Sequence, residues 1–129
     1  MQKILSVIGL VAALFIATGV QADSSPYKVF NAPKDLLEEM KGITESFKDS
    51  KPIVLFQSPV CHFCDVARSD LNERGLKFVE IDVTKLVSQP YWGRVVEVTG
   101  IAGTPQFLVG DKLLLGYSPQ KIIKELKSK

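Results

Sequence analysis

Cysteine and histidine are scarce in this 129-residue chain, with two thiols and one imidazole in all. A closed zinc site normally takes four ligands, so one here would need carboxylates or a second subunit to complete it. A surplus of charge of one sign is missing too. Sixteen Lys and Arg stand against fourteen Asp and Glu, which leaves no basic excess to neutralise phosphates and gives no case for nucleic acid. There is no internal repeat and no low-complexity tract. Only one apolar run is long enough to concern a membrane, and it lies at the N-terminus.

Met1–Gln2–Lys3 gives that end a positive start, and Ile4 to Val20 is broken only by small or weakly polar residues. Val20–Gln21–Ala22 then offers small side chains where a signal peptidase reads. About 17 residues is the lower limit for spanning a bilayer, so an uncleaved anchor is the competing reading. The cleavage-like tripeptide and the lack of a positive flank after it favour removal. No cysteine lies near the cut, which argues against a lipid-anchored lipoprotein. The expectation is a signal peptide over 1–22, export to the periplasm, and a mature domain over 23–129 without stable membrane association. Some 107 residues then remain, enough for one core but not two.

What is present is organised as alternating strands and helices. "PYKVF", Pro26 to Phe30, predicts a short strand. Leu36, Leu37, Met40, Ile43 and Phe47 follow at helical spacing, with Asn31 or a neighbour as cap and Gly42 as a weak point. "IVLF", Ile53 to Phe56, has the continuous apolar character of a strand covered on both faces. From Cys61, the residues Phe63, Val66, Ala67 and Leu71 fall on a helix that Gly75 ends. "LKFVEIDV", Leu76 to Val83, predicts a strand, and Pro90 opens a short helix. "QFLV" and "KLLLG" flank the turn-like pair Gly110–Asp111 as a hairpin, and Ser118–Pro119 starts a last helix. The order β-α-β-α-β-α-β-β-α predicts an α/β layer fold with helices covering a mixed sheet.

Both thiols fall in "SPVCHFCDV", Ser58 to Val66, as Cys61-His62-Phe63-Cys64. A bridge across so short a loop restrains the unfolded chain by only about 2 kcal/mol, against roughly 3 for fifteen residues. As a staple the placement is poor; as a reversible pair it makes sense. Cys61 starts a helix just beyond a buried strand, where unpaired N–H groups and the helix dipole favour a thiolate. Cys64 lies one turn on and more shielded, so Cys61 is placed to form a mixed disulfide and Cys64 to displace the partner.

"VLFQSPVCHFC" and "VTGIAGTPQFLVGDKLLLGYSPQKI" together resemble the thioredoxin superfamily over nearly all of the mature chain. The resemblance implies a thioredoxin-like fold with a C-terminal hairpin and helix, and a thiol–disulfide oxidoreductase with Cys61 as nucleophile and Cys64 as resolving thiol. It also implies that Thr104–Pro105 is a cis peptide beside the cysteines whose preceding backbone pairs with extended substrate. Three departures bear on specificity. His62–Phe63 replaces the Gly-Pro of thioredoxins and the Pro-Tyr of glutaredoxins. Leu55 stands where thioredoxins carry a buried aspartate. Ser58 and "GYSP", Gly116 to Pro119, stand where glutaredoxins have a lysine and a Gly-Gly-Ser/Cys-Asp stretch that help bind glutathione. The N-terminal strand and helix look more like thioredoxin, and "GYSP" is similar to glutaredoxin-like proteins that behave as thioredoxins.

His62, if charged, would favour the thiolate and make the disulfide more oxidising; the plainer alternative is an exposed ring. Phe63 is expected on an apolar docking surface. Tyr91, Trp92 and Tyr117 are expected as packing residues rather than site residues. No organic cofactor or metal is required, because the Cys61/Cys64 couple carries two electrons. The expected partners are protein thiols and disulfides, with an upstream redox protein or glutathione renewing the couple, and a monomer is expected. Two alternatives stay open: glutaredoxin-like reduction of glutathione mixed disulfides, and a Cu(I) carrier using two soft thiolates.

Overall fold

Residues Ile53, Val54, Leu55 and Phe56 are all buried, because the strand they form (β2, Ile53–Gln57) runs inside a sheet covered on both sides. A computed structural model describes residues 28–128. The expected leader over 1–22 lies outside the described residues, as do Pro26 and Tyr27. Strand β1 (Val29–Asn31) comes first, and β3 spans Val79–Asp82. Strands β4 (Gln106–Val109) and β5 (Lys112–Leu115) form the hairpin around Gly110–Asp111. The sheet order is β1-β5-β4-β2-β3. Only β2 and β3 are parallel; the other neighbours are antiparallel.

Alternation along the strands divides the interior into two halves. Val54, Phe56, Ile81 and Leu108 face one layer, where Leu36, Met40, Trp92 and Val95 meet them. Ile53, Leu55, Phe107 and Val109 face the other, against Ala67, Leu71 and Ile122. Each fully buried Leu, Ile or Phe contributes about 1.5–3 kcal/mol through loss of apolar surface to water. Trp92 packs on Phe56 with ring centroids 5.8 Å apart, and half-buried Tyr91 lies against the same cluster.

The first helical stretch is broken rather than continuous. Helix α1 covers Lys34–Glu39, α2 covers Lys41–Thr44, and a 3-10 turn covers Glu45–Phe47. Met40 sits at the break with φ −88° and ψ 2°. This bend lets Leu36, Met40 and Phe47 all reach buried positions. Asn31 is not the cap: it pairs with Lys112 in the sheet, and Pro33 takes the N-cap position without a side-chain hydrogen bond.

Helix α3 (His62–Glu73) ends as predicted, with Gly75 at φ +69° and its N–H donating to Asn72 O at 3.0 Å. Strand β3 is shorter than "LKFVEIDV", because β2 pairs only with Val79–Asp82; Leu76 and Phe78 pack on the α3 side, and Val79, Ile81 and Val83 on the other. Helix α4 (Gln89–Thr99) has Pro90 in its first turn. Helix α5 (Pro119–Lys127) is capped by Ser118, whose Oγ accepts the Lys121 N–H at 3.4 Å. At its far end Lys51 Nζ donates to Glu125 O at 2.7 Å and to Ser128 Oγ at 2.9 Å. That ties the end of α5 to the residues leading into β2. No helix of the described residues is long and apolar enough to cross a membrane.

Candidate active site: a disulfide beside an apolar groove

Strand β2 delivers the chain to Ser58, and Cys61 is the N-cap of α3. Cys61 and Cys64 are joined as a disulfide, with Cα atoms 5.2 Å apart. The Cys61 Sγ accepts the backbone N–H of Cys64 at 3.1 Å, so a sulfur fills the capping role usually held by a hydroxyl or carboxylate oxygen. The positive end of a twelve-residue helix therefore points at Cys61. Cys64 is fully buried, whereas Cys61 is half-buried behind the protruding Val60. Of the two cysteines, Cys61 is the one with surface open to another molecule.

The peptide Thr104–Pro105 is cis and leads into β4. Ser58 and Thr104 share a hydroxyl–hydroxyl hydrogen bond of 2.9 Å, which fastens the cysteine loop to the proline loop. Pro105 is buried, and its carbonyl accepts the Gly116 N–H at 3.0 Å. Among the described residues, the N–H and C=O of Thr104 take no backbone partner. Between these segments runs a groove of about 540 Å³, with Phe63, Val66, Ile101, Thr104, Pro105 and Tyr117 among its walls. Among the described residues, no Lys, Arg, His, Asp or Glu lines it.

The sequence-predicted residues divide by position. Phe63, Thr104 and Pro105 meet at the groove. His62 does not line it; the ring is exposed and stands edge-on to Phe63, with centroids 5.7 Å apart. Leu55 is fully buried among Ala67, Leu71 and Phe107, so this position of the sheet presents no carboxylate to Cys64. Tyr117, expected only as packing, forms part of the groove wall. Its ring lies 5.6 Å from Phe107, and its hydroxyl donates to the Asp70 carboxylate on α3. Arg74 Nε donates to the same carboxylate at 2.8 Å. The Tyr117 hydrogen bond, then Arg74, holds the Asp70 carboxyl below the usual range. Burial, then the Asp70 contact, pushes the Tyr117 hydroxyl up.

Gln106 carried no expectation from the sequence, yet it is the first residue of β4 and fully buried. Its amide nitrogen donates to Ile101 O at 2.7 Å and to Gly103 O at 3.0 Å. Among the described residues, no cluster of three His, Cys, Asp or Glu side chains could hold a metal ion.

The glutaredoxin family model matches residues 53–114, a span that takes in the cysteine pair and the Thr104–Pro105 loop. Residues 53–114 are thus a glutaredoxin domain, of the thioredoxin superfamily. The chain's β1, α1 and α2 lie ahead of the matched span. The solved glutaredoxin of Archaeoglobus fulgidus is 22% identical with a TM-score of 0.52, covering 64% of this chain and 94% of that one. A buckwheat glutaredoxin solved in complex with glutathione is 17% identical with a TM-score of 0.51, covering 73% and 93%. At these identities the likeness speaks for the fold, a mixed sheet flanked by helices. No curated protein sequence matches the chain. The protein is a thiol–disulfide oxidoreductase whose glutaredoxin domain carries a Cys-x-x-Cys pair at bonding distance.

Proposed function

We propose that this oxidoreductase exchanges disulfides with cysteine-bearing segments of other proteins in the periplasm, with Cys61 attacking and Cys64 resolving. One observation carries the substrate class: the groove that begins at Phe63, two residues from Cys61, is apolar and free of charged side chains among the described residues, and the Thr104 N–H and C=O at its edge take no backbone partner there. An extended chain fits such a place, because its backbone finds partners at Thr104 and its side chains find apolar walls. Glutathione bears two carboxylates and one ammonium, and the groove wall supplies no cation to receive them. The exported location rests on the leader expected over 1–22, and the mass of the protein recovered from the periplasm tests it.

In the reducing direction the Cys61 thiolate attacks one sulfur of a substrate disulfide. A Cys61–substrate S–S bond forms, the substrate bond breaks, and the second substrate sulfur leaves as thiolate. The Cys64 thiolate then attacks Cys61 Sγ, re-forming the observed bridge and releasing the second substrate thiol. Two electrons pass to the substrate, and the reverse sequence oxidises it. The amide of Cys64 and the helix dipole stabilise negative charge on Cys61 in either direction. His62 adds positive charge near the same helix end when protonated, which favours the reduced couple.

Cys64→Ser removes the resolving step and leaves Cys61 able to attack. The expected result is a set of mixed disulfides captured from a periplasmic extract and released by dithiothreitol. A variant that still alkylates at Cys61 yet captures only glutathione would refute the protein-substrate reading.

A further inference from the structure

Gln106 occupies a place where a polar side chain is costly. It lies in the interior of the sheet, paired on one side with Phe56 and on the other with Leu115, and is completely shielded from water. Its Oε1 has no hydrogen-bond partner, the kind of orphaned acceptor that folded proteins avoid. Leu108, two residues on along the same face, shows what such a position ordinarily holds. The amide must therefore be kept for what its other end does.

That end donates both of its hydrogens to the loop preceding Pro105, at Ile101 O and Gly103 O. Ile101 and Gly103 are exposed and both line the groove. Without the amide their carbonyls would turn to water, and the loop would have little else on this side to hold it down. Thr99 adds only two long contacts, its Oγ1 accepting the Ile101 N–H and donating to Ile101 O, both at 3.4 Å. Glutamate would present acceptors to carbonyl oxygens when ionised, and asparagine is one methylene shorter. Glutamine alone among these three offers two donors at this reach without burying a charge.

We propose that Gln106 is a positioning residue for substrate: it fixes the 101–104 loop as a rigid groove wall so that Thr104 presents its backbone to an incoming chain. Gln106 makes no hydrogen bond to either cysteine among the described residues, so it acts on docking and not on the sulfur chemistry. The inference rests on the protein-substrate reading and adds a residue to it.

The test uses Gln106→Met, which keeps an unbranched side chain of similar length and removes both donors. Fluorescein-labelled insulin probes a substrate that must lie in the groove, and 2-hydroxyethyl disulfide probes one that needs only Cys61. KM for insulin is expected to rise roughly tenfold, equivalent to about 1.4 kcal/mol. Its kcat, the rate on the small disulfide and the reduction potential should stay within twofold of wild type. An equal loss on both disulfides, or no loss on insulin, would overturn the proposal. Backbone hydrogen exchange supplies a readout independent of turnover. Amides of residues 101–104 should exchange faster in Gln106→Met, and unchanged exchange there would overturn the proposal even if wild type ignored insulin. Wild-type inactivity on insulin, by contrast, bears only on the substrate class.

Discussion

Replacing Phe63 by Ala tests whether the groove is where substrates dock. Phe63 is 68% exposed, so most of its surface is still available to a partner. A Phe side chain buries about 150–250 Å² when fully enclosed, which leaves roughly 100–170 Å² of this ring to be covered. At about 25 cal/mol per Å² that amounts to ~2.5–4 kcal/mol as an upper bound. A groove wall is covered on one side only, so about half, ~1–2 kcal/mol, should be lost on truncation. That corresponds to a five- to thirty-fold fall in kcat/KM at about 1.4 kcal/mol per decade. Fold stability should hardly move, because an exposed side chain away from special features typically matters by about 0.5 kcal/mol or less. The assay is insulin reduction over a range of insulin concentrations, with thermal denaturation and iodoacetamide labelling of Cys61 as controls. A change of less than twofold on insulin would refute docking in this groove. So would the same loss on 2-hydroxyethyl disulfide, which cannot span it.

The Tyr117–Asp70 contact makes two pH-dependent predictions. In a spectroscopic titration Tyr117 should ionise above the ordinary tyrosine range, and Asp70→Asn should bring it down. Tyr117 is held protonated in the fold, so its stabilisation is present below about pH 10 and lost as pH rises through its folded value. Asp70 is held ionised, so its share is present above about pH 4 and lost as pH falls through its folded value. The stability gap between wild type and Asp70→Asn should therefore be widest near neutrality and narrow at both extremes; a gap that does not change with pH would refute this. Lys51→Met should lower stability by about 1 kcal/mol by uncapping α5, or roughly 4–8 °C in Tm. Activity should be unchanged, because Lys51 is bonded at the end of α5 remote from Ser118.

Much of the fold was legible because its signals are local. Four consecutive apolar residues at 53–56 report burial on both faces, and Ser118–Pro119 and Gly75 mark helix ends by their own backbone preferences. The cysteine pair was legible for the same reason, since its chemistry depends on a strand-to-helix junction written in one short segment. What was not legible depends on distant partners. The partner of β1 is β5, more than eighty residues away, and no pattern within "PYKVF" identifies that edge. The break at Met40 separates Leu36 and Met40, which join the layer around Trp92, from Phe47, which is buried outside that cluster; periodicity alone reads the stretch as a single helix. Tyr117 became a groove wall only once α3 brought Asp70 within reach of its hydroxyl. Gln106 did leave a trace: a long polar residue opening the apolar run "QFLV" directly after Pro105 is out of place on a buried strand. That misfit is a usable signal for a side chain that serves a neighbouring loop.

The two ends of the described chain meet the sheet at opposite poles. The Lys28 carbonyl accepts the N–H of Leu115, a residue that also borders the groove. Ser128 is held by Lys51 near the other pole, where the β4–β5 turn also lies. A purification tag or fusion partner joined ahead of Lys28 thus emerges by Leu115, at the groove end of the sheet, and competes with whatever should bind there. One joined after Ser128 leaves that entrance open, which makes the carboxyl terminus the side on which to immobilise this domain for capture experiments.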